Sequence, residues 1–384
     1  MSEWVEKRLE DILEIKHGFA FKGEHFSNLP TKYYLVTPAN FAIGGGFQKG
    51  KEIYYIGDFP KEYILEKNDL IVTMTDLSKT GDTLGFSALV PENVDYEYLH
   101  NQRIGKVIVN EKIADKKFIY WVMRTYSYQR YVVGLATGST VKHTSPKSIK
   151  SFNFKFPPLL TQIRIANILS SYDDAIENNN RRIALLDKAA RKLYREWFVK
   201  FRFPGYEDVR FVNGLPEGWE VKRLGGIIKF TNGKSRPKTI GNVPVYGGNG
   251  VLAYCDMNNQ ENGIIIGRVG AYCGNVFYER KPHWVSDNAI AAKNKKNCTI
   301  DFAYHLLQQL NLNQRQTGTG QPLLTQDLLN KIKIVLPPYS LLHSFSKLAR
   351  NTKNLSDNIQ SQSQNLARQR DLLLPRLMSG KLEV

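Results

Sequence analysis

The sequence is poor in cysteine and has neither a long apolar run nor a block of like charge. Its three cysteines, Cys255, Cys273 and Cys298, form no CxxC pair and no cluster with histidine, which argues against a disulfide framework or a metal site. No apolar run approaches the roughly 18 to 20 residues of a membrane-spanning helix, and the first residues are too charged for a signal peptide. We therefore expect a cytoplasmic protein that has reduced thiols, binds no metal and is not in a membrane.

The charge balance is strongly positive. The 384 residues include 53 Lys and Arg against 36 Asp and Glu, a net charge of +17, while 42% apolar residues are enough to build real cores. No run of five or more like charges occurs, so the excess belongs to folded surface rather than to a basic tail. This pattern favours a polyanionic partner, with nucleic acid as the first hypothesis.

The chain repeats itself. Six residues near its start, Trp4, Lys7, Arg8, Leu9, Ile12 and Gly18, recur at a constant offset of 215 as Trp219, Lys222, Arg223, Leu224, Ile227 and Gly233. A second block recurs at an offset of 180, from Thr137-Gly138 and Thr317-Gly318 to Pro157-Pro158 and Pro337-Pro338. The offsets differ by 35 residues. We infer two copies of one scaffold whose middles have diverged.

A helical pattern follows each proline pair. Apolar residues from Ile165 to Trp197 recur in steps of three and four, and a similar seam follows at an offset of 180. A helix from about Leu160 to Val199 would be on the order of 60 Å long at ~1.5 Å per residue, which is the length of a spacer. We expect the two long helices to bury their seams against each other, and Pro375 to kink or fray the second.

The segments before the helices alternate short strand patterns with glycine turns, as in Leu70-Ile71-Val72, Ile104 to Val109, Gly263 to Gly267 and Ile332 to Leu336. Tyr120 to Tyr131 and Asp301 to Leu312 have helical patterns. The predicted fold class is α/β (α+β), with two α/β domains that are each followed by a long helix. The predicted parts are a first domain (1–155), a first helix (156–203), a second domain (204–335) and a second helix (336–384).

Three short motifs have the letters of catalytic sites. Leu336-Pro337-Pro338-Tyr339 resembles an amino-methyltransferase tetrapeptide, but it has leucine where a polar residue must hold the amine. Gly233-Lys234-Ser235 lacks the first glycine of a phosphate loop, because Ile228 occupies that position. Asp11 and Glu14 with Lys16 have the letters of a nuclease metal site, but the second copy does not keep them, since Lys229 replaces Glu14. We expect no catalytic residue, metal or cofactor.

Several motifs together carry a family resemblance. Leu215-Pro216-Glu217-Gly218-Trp219, the Thr-Gly segments before Pro-Pro, and the ending Leu373 to Leu382 resemble the specificity subunit of type I restriction-modification enzymes over the whole chain. The first copy departs by lacking the Pro-Glu-Gly lead. The resemblance implies a pseudo-twofold molecule in which two target recognition domains flank an antiparallel coiled coil and each reads half of an asymmetric, bipartite duplex DNA site. It also implies two methylating subunits and two ATP-dependent translocase/nuclease subunits as partners, and no catalysis by the chain itself.

The candidate DNA-binding residues are polar side chains on predicted loops, because Arg and Lys suit guanine while Asn and Gln suit adenine. In the first domain they are Lys22, Thr75, Lys79, Thr80, Gln102, Arg103, Ser139, Thr140, Lys142 and His143. In the second domain they are Lys234, Ser235, Arg236, Lys238, Tyr246, Asn249, Arg268, Tyr272, Thr319 and Gln321. For each of them the competing interpretation is an ordinary solvated loop residue or a phosphate contact.

Two other functions compete with DNA specificity. One is an RNA or single-strand binder on a coiled-coil scaffold, since 20 Tyr and 19 Phe could stack on bases, although they fall mostly at core spacing. The other is a free-standing methyltransferase or nuclease, which the absence of a cofactor loop disfavours. Sequence-dependent duplex binding, preference for single strands and turnover by the isolated chain would separate the three.

Overall fold

The computed structural model describes residues 4–50, 52–78, 80–315 and 322–384. The chain forms two compact units, one made of the residues up to Asn178 together with Gln362–Val384, the other of Asn179–Ser361. The first unit contains the strands β1 (Val5–Arg8), β2 (Leu13–His17), β3 (Phe26–Ser27), β4 (Tyr33–Val36), β5 (Tyr54–Tyr55), β6 (Ile64–Leu65), β7 (Leu70–Thr73), β8 (Thr75–Asp76), β9 (Ser87–Leu89), β10 (Glu97–His100), β11 (Ile104–Val109), β12 (Lys142–His143) and β13 (Asn153–Phe156).

Its helices are α1 (Lys116–Val122), α2 (Tyr126–Gly134), α3 (Pro146–Lys150) and the first part of α4 (Leu159–Tyr194). The second unit contains the strands β14 (Phe211–Val212), β15 (Leu215–Pro216), β16 (Glu220–Arg223), β17 (Ile228–Asn232), β18 (Val243–Gly247), β19 (Gly250–Cys255), β20 (Gly263–Gly267), β21 (Val276–Glu279), β22 (Trp284–Val285), β23 (Ala289–Asn294) and β24 (Lys333–Leu336). Its helices are α5 (Ile300–Gln309), α6 (Gln326–Lys331) and part of α7 (Tyr339–Met378).

The two copies share a sheet topology. The central sheet has the order β2-β11-β7-β9 in the first unit and β17-β23-β20-β21 in the second, and every pairing in it is antiparallel. Strands β7 and β20 are buried along their whole length, which explains their uninterrupted apolar sequences. A second pair, β1 with β13 and β16 with β24, is also antiparallel in both copies. The repeat inferred from the sequence is therefore a repeat of structure.

The long helices are antiparallel. In the first unit Ile165 and Leu169 near the start of α4 share a core with Leu377 near the end of α7. In the second unit the end of the first long helix meets the start of the second. Phe198, just after α4, packs on Phe345 near the start of α7, with ring centroids 5.0 Å apart. The predicted helix 160–199 is confirmed, with one difference: Arg195–Val199 form a π-helical turn, which places Trp197 and Phe198 in the core.

Two local predictions were wrong, and a third was wrong in part. The predicted helix Tyr120 to Tyr131 is two helices, because the chain leaves α1 after Val122 and Thr125 caps α2 by accepting a hydrogen bond from the Tyr128 N–H. The helix predicted to reach Leu312 ends at Gln309, and a 3₁₀ turn follows. Pro375 does not fray α7, which continues to Met378 because Leu377 is fully buried in the first core.

Candidate nucleic-acid interface

Four loops of the first unit meet at one end of its central sheet. Strands β2 and β7 end where β11 begins, since Gly105 pairs with His17 and Ile104 pairs with Thr73. The loops 18–25, 74–86 and 101–103 therefore lie at the same end, and strand β12 brings residues 137–145 beside them by pairing with β8. We call these four loops the first loop edge.

Main-chain hydrogen bonds join the loops of this edge to one another. The Gln102 N–H donates to the Phe19 carbonyl at 2.9 Å, and the Met74 N–H donates to the Arg103 carbonyl at 2.9 Å. The Thr144 N–H in turn donates to the Met74 carbonyl at 3.0 Å. The first loop edge is thus a continuous hydrogen-bonded surface rather than a set of independent loops.

The structure brings most of the candidates in the first copy to this edge. Seven of them are exposed there: Lys22, Thr80, Gln102, Arg103, Ser139, Thr140 and His143. Lys142 is half-buried in strand β12. The interpretation of Thr75 as an exposed loop residue was wrong, because it lies in β8, is only 4% exposed and its hydroxyl lies 3.2 Å from Nδ1 of His143. Thr75 therefore positions His143. Lys79 lies outside the described residues.

Asp76 shapes this edge and was missed by sequence reasoning. Its carboxylate accepts hydrogen bonds from the N–H groups of Ser78 at 2.6 Å and Thr83 at 2.5 Å, and from the Thr83 hydroxyl at 2.7 Å. Burial opposes its ionisation, but these hydrogen bonds outweigh burial and lower the pKa of Asp76. The Asp-x-Ser spacing of an Asx turn was the available signal. Asp76 holds the loop that presents Thr80.

His100 marks the base of the same edge. Its ring is buried, Nε2 lies 2.8 Å from the Ile104 carbonyl, and burial lowers the pKa of His100 to about 4. Its own carbonyl accepts a hydrogen bond from the Phe19 N–H at 2.8 Å. His100 is thus neutral at pH 7 and acts as a structural support beneath Gln102 and Arg103.

The repeated glycines, Gly18 and Gly233, have a physical role at these edges. A Cβ on Gly18 would lie 2.2 Å from the Asn101 carbonyl oxygen, and one on Gly233 would lie 1.9 Å from the Ser286 carbonyl oxygen. The residue after each glycine forms a parallel β-bridge with the residue that the glycine approaches: Phe19 with Asn101, and Lys234 with Ser286. Only glycine allows the two backbones to approach this closely, which explains why the residue recurs in both copies.

The second unit builds its edge with the same connections. The Lys234 N–H donates to the Val285 carbonyl at 3.0 Å, and the Arg268 N–H donates to the Asn288 carbonyl at 3.0 Å. The Leu324 N–H donates to the Arg268 carbonyl at 2.9 Å. We call the loops 233–238, 268–275, 286–288 and 322–325, together with the β18–β19 turn at 248–249, the second loop edge.

The candidates in the second copy are distributed less evenly. Lys234, Ser235, Arg236, Lys238, Asn249 and Tyr272 are exposed, and Arg268 is half-buried. The β18–β19 turn joins the edge because the Asn275 side chain donates to the Gly248 carbonyl at 3.3 Å. The placement of Tyr246 on a loop tip was wrong: it lies in β18, where its hydroxyl donates to Glu279 at 2.9 Å. Thr319 and Gln321, like Thr317-Gly318 of the repeat, lie outside the described residues.

The residues of two of the motifs that resemble catalytic sites have structural roles. Glu14 forms an ion pair with Lys150 at 2.7 Å, and the Asp11 carboxylate accepts from the Arg8 N–H at 2.9 Å. Leu336 is buried in the second core, so the apolar residue before the proline pair fills space there. Across the described ranges no group of three or more His, Cys, Asp or Glu could hold a metal ion. Among the helices in those ranges, none is both long enough and apolar enough to cross a membrane.

Comparison with known proteins agrees with this architecture. Residues 1–188 and 216–357 match the profile of the family described as "Type I restriction modification DNA specificity domain". The chain belongs to this family and is a type I specificity subunit, as the sequence resemblance predicted. Its two matched segments correspond to the two structural copies.

Individual relatives span most of the chain. It is 26% identical over 322 residues to the type I restriction enzyme MjaIX specificity subunit of Methanocaldococcus jannaschii, covering 74% of this chain and 73% of that protein. It is 21% identical over 365 residues to the type I restriction enzyme MjaVIII specificity subunit of the same organism, covering 84% of this chain and 81% of that protein. The fold is similar to the crystal structure of a type I S subunit from M. genitalium, with a TM-score of 0.58, 21% identity and coverage of 98% and 96%.

Proposed function

We propose that the chain is a non-catalytic DNA-reading subunit that binds a bipartite, asymmetric duplex site, with one half-site for each loop edge. The observation that carries this proposal is the duplication of the edge itself. The same sheet end, the same glycine contact and the same hydrogen-bonded loop order occur in both units. Two equivalent scaffolds with exposed polar side chains suit two separate readings of base edges.

The two edges present different chemistry. At an offset of 185 the exposed pair Gln102-Arg103 of the first copy corresponds to the exposed pair Asp287-Asn288 of the second. Arginine suits guanine and glutamine suits adenine, whereas aspartate accepts from the amino group of cytosine. The two edges have the same backbone arrangement but different side chains. This supports two different half-sites, and hence a target that is not a palindrome.

The long helices are proposed to set the distance between the half-sites. Each spans on the order of 60 Å for its 40 or so residues at ~1.5 Å per residue, against about 34 to 36 Å for one turn of B-DNA. Insertion of one heptad after Asn180, with a matching heptad in α7, should lengthen the unread gap and leave both half-sites unchanged. A gap of unchanged length would contradict the spacer role.

The proposed partners follow from the family. Two methylating subunits and two ATP-dependent translocase/nuclease subunits would supply the chemistry, so the chain itself needs no catalytic group or cofactor. A protein that directs modification of genomic DNA works in the compartment that holds this DNA, so we propose a cytoplasmic location. The net charge of +17 supports duplex binding through phosphates.

The RNA-binding alternative gains no support from two clusters of aromatic residues in the first unit. Phe21, Tyr55 and Phe59 pack on one another, and Tyr34, Tyr96 and Tyr98 form a second group of touching rings. Four of these six rings are at least nine-tenths buried. Rings that fill a core cannot form the exposed platform on which single-stranded bases stack.

The experiment that tests the proposed function is co-expression with the methylating subunit from the same genome, followed by methylome sequencing. The expected result is one bipartite, asymmetric methylated motif with an unread gap. A stable complex that leaves no motif in the DNA would contradict the proposal. Matched cells that express the methylating subunit alone provide the control.

A further inference from the structure

A groove in the second unit has five cations among its thirteen lining residues. It has a volume of about 740 Å³ and runs along the C-terminal part of α4, past the end of α5. The cations that line it are Lys188, Arg191, Lys192, Arg195 and Lys200. Only two carboxylates, Asp187 and Glu196, line it with them. We call it the cationic groove.

Three of the five cations have no acidic partner among the described residues. Arg191 is paired with Asp187, and Lys200 is paired with Glu196 at 2.6 Å. Lys188, Lys192 and Arg195 are exposed and form no ion pair within the part of the chain that the structure describes. Because they are spaced by four and three residues, they share one face of the helix.

The cationic groove adjoins the second loop edge. Asn311 lines the groove, and the next residues, Leu312 and Asn313, pack against Gly274. This contact is so close that a Cβ on Gly274 would lie 2.3 Å from the Asn313 nitrogen. Gly274 belongs to the loop that carries Arg268 and Tyr272. The cationic groove and the second loop edge are therefore neighbouring surfaces of the second unit.

Two polar atoms in the groove lining are buried without a partner. They are Nδ1 of His305, a residue that is 6% exposed, and Oε1 of Gln308, and neither has a hydrogen-bond partner among the described residues. The Gln308 amide nitrogen is held by donating to the Tyr304 hydroxyl at 2.8 Å. The two side chains also act on each other, and of the two atoms only Nδ1 could donate to a phosphate oxygen, because Oε1 is an acceptor.

The fold does not require two of these cations, as the first copy shows. At an offset of 180, Lys192 corresponds to Leu372 and Arg195 corresponds to Pro375, whereas Lys188 corresponds to another cation, Arg368. The same helical scaffold thus exists without two of the three unpaired cations. Mutual repulsion among unpaired cations is unfavourable, so the presence of Lys192 and Arg195 in one copy alone points to an anionic ligand.

We propose that the cationic groove binds the phosphate backbone of duplex DNA next to the half-site read by the second loop edge. This inference rests on the proposed function and deepens it. From Lys188 to Arg195 the helix rises roughly 10 Å at ~1.5 Å per residue, which is about three base-pair steps at ~3.4 Å each. Three free cations therefore match about three phosphates, and they add affinity without adding sequence information.

The test uses the full chain in complex with its methylating subunit. The variant K188Q/K192Q/R195Q is compared with the control K281Q/K293Q/K296Q, three exposed lysines toward the opposite end of the same central sheet. Dissociation constants are measured from 50 to 200 mM salt, on a duplex with the motif found by methylome sequencing and on a scrambled duplex. The slope of log affinity against log salt should fall by about 2.7 in the groove variant, at ~0.9 per phosphate contact.

Over this fourfold range of salt, wild-type affinity should therefore fall about 40-fold more than that of the groove variant. The methylated motif should stay the same, and the control should keep the wild-type slope. An unchanged slope, or an equal fall in the control, would overturn the inference, as would weaker association with the methylating subunit at an unchanged DNA slope, which would identify a protein contact. A wild-type complex with no preference for any duplex would instead contradict the proposed function.

Discussion

The two copies differ in their chemistry where each recognition domain packs on the long helices. Asp115 and Thr299 cap α1 and α5 in the same way, by accepting from the N–H groups of Phe118 and Phe302, and so fix the equivalence of the two sites at an offset of 184. In the first copy, charged side chains fill the junction between the domain and the helices. In the second copy it contains a cavity of about 270 Å³, lined in part by Tyr304 and His305.

The first junction is a buried ion network. The Arg124 guanidinium, whose side chain is 5% exposed, pairs with Asp173 at 2.7 Å, donates to the Gly44 carbonyl at 2.8 Å and stacks over Trp121 at 4.3 Å. Arg370 pairs with the same carboxylate. Two guanidinium groups around one carboxylate, with an aromatic face beneath, satisfy charges that would otherwise be costly to bury.

The second junction replaces every charged member of this network. Gln308 corresponds to Arg124, Lys353 to Asp173, and Ala190 to Arg370. Yet the sheet order and the antiparallel helices are unchanged. Apolar seams and backbone pairing therefore specify this scaffold, whereas the junction between domain and helices is free to vary.

The largest effect is expected from removing the central cation of the first junction. Arg124→Met should lower the free energy of unfolding by about 3 kcal/mol, because Tyr120 and the Gly44 carbonyl lose a buried donor and Asp173 loses one of its two guanidinium partners, keeping Arg370 and the Tyr120 hydroxyl. The matched change Gln308→Met should cost about 1 kcal/mol, since it removes one neutral hydrogen bond. Urea denaturation of both variants measures the difference, and equal losses would contradict the contrast between the two junctions.

A pH effect should distinguish the second junction. Burial lowers the pKa of His305 to about 4, with Asp187 opposing this and Arg191 adding to it. The unfolded chain therefore takes up the proton first, and the stability that neutral His305 contributes is complete above about pH 6.5 and is lost as the pH falls toward 4.

His305→Phe should remove this loss, which amounts to about 2.5 kcal/mol at pH 4.5. Thermal unfolding from pH 7 to 4.5 would show a flatter profile for this variant than for the wild type. His343→Gln, at an exposed position of α7, is the control and should leave the profile unchanged. Identical profiles for wild type and His305→Phe would be incompatible with a neutral, buried His305.

The smallest effect is expected from filling the cavity. Ala190→Leu places apolar atoms where the first copy has Arg370, and should stabilise the protein by about 1 kcal/mol. Ala166→Leu is the contrast, because Ala166 lies in the filled core of the first unit at 1% exposure and overpacking there should cost about 1 to 3 kcal/mol. Calorimetry would reveal opposite signs. Destabilisation by both changes would mean that the second junction has no usable space.

The sequence predicted the parts of this fold that depend on local pattern. The repeat, the two long helices and the buried central strands β7 and β20 all follow from spacing and apolar runs. The break between α1 and α2 could not be predicted in this way, because a threonine such as Thr125 can occupy either the interior of a helix or its N-cap. The Arg124 and Arg370 contacts with Asp173 span 49 and 197 residues, and no periodicity links such positions.

The candidate site was predictable in outline but not in its supports. Loop composition identified Gln102, Arg103 and Lys234, which the fold gathers at equivalent sheet ends. Thr75 and Tyr246 were misplaced because pairing with β12 and β22 decides their burial, and those partners lie far along the chain. Asp76 bonds to residues of its own loop, so its Asx turn could have been predicted from the Asp-x-Ser spacing. Its burial could not have been predicted from the sequence.

The central claim is that each copy reads its own half-site through its own loop edge. It is tested most directly by methylome sequencing of cells that express the methylating subunit with Q102A/R103A in one strain and with K234A/R236A in another. We expect the first variant to relax or weaken only one half of the bipartite motif and the second variant only the other half, with the gap unchanged. Coupled change of both halves by either variant would contradict the claim.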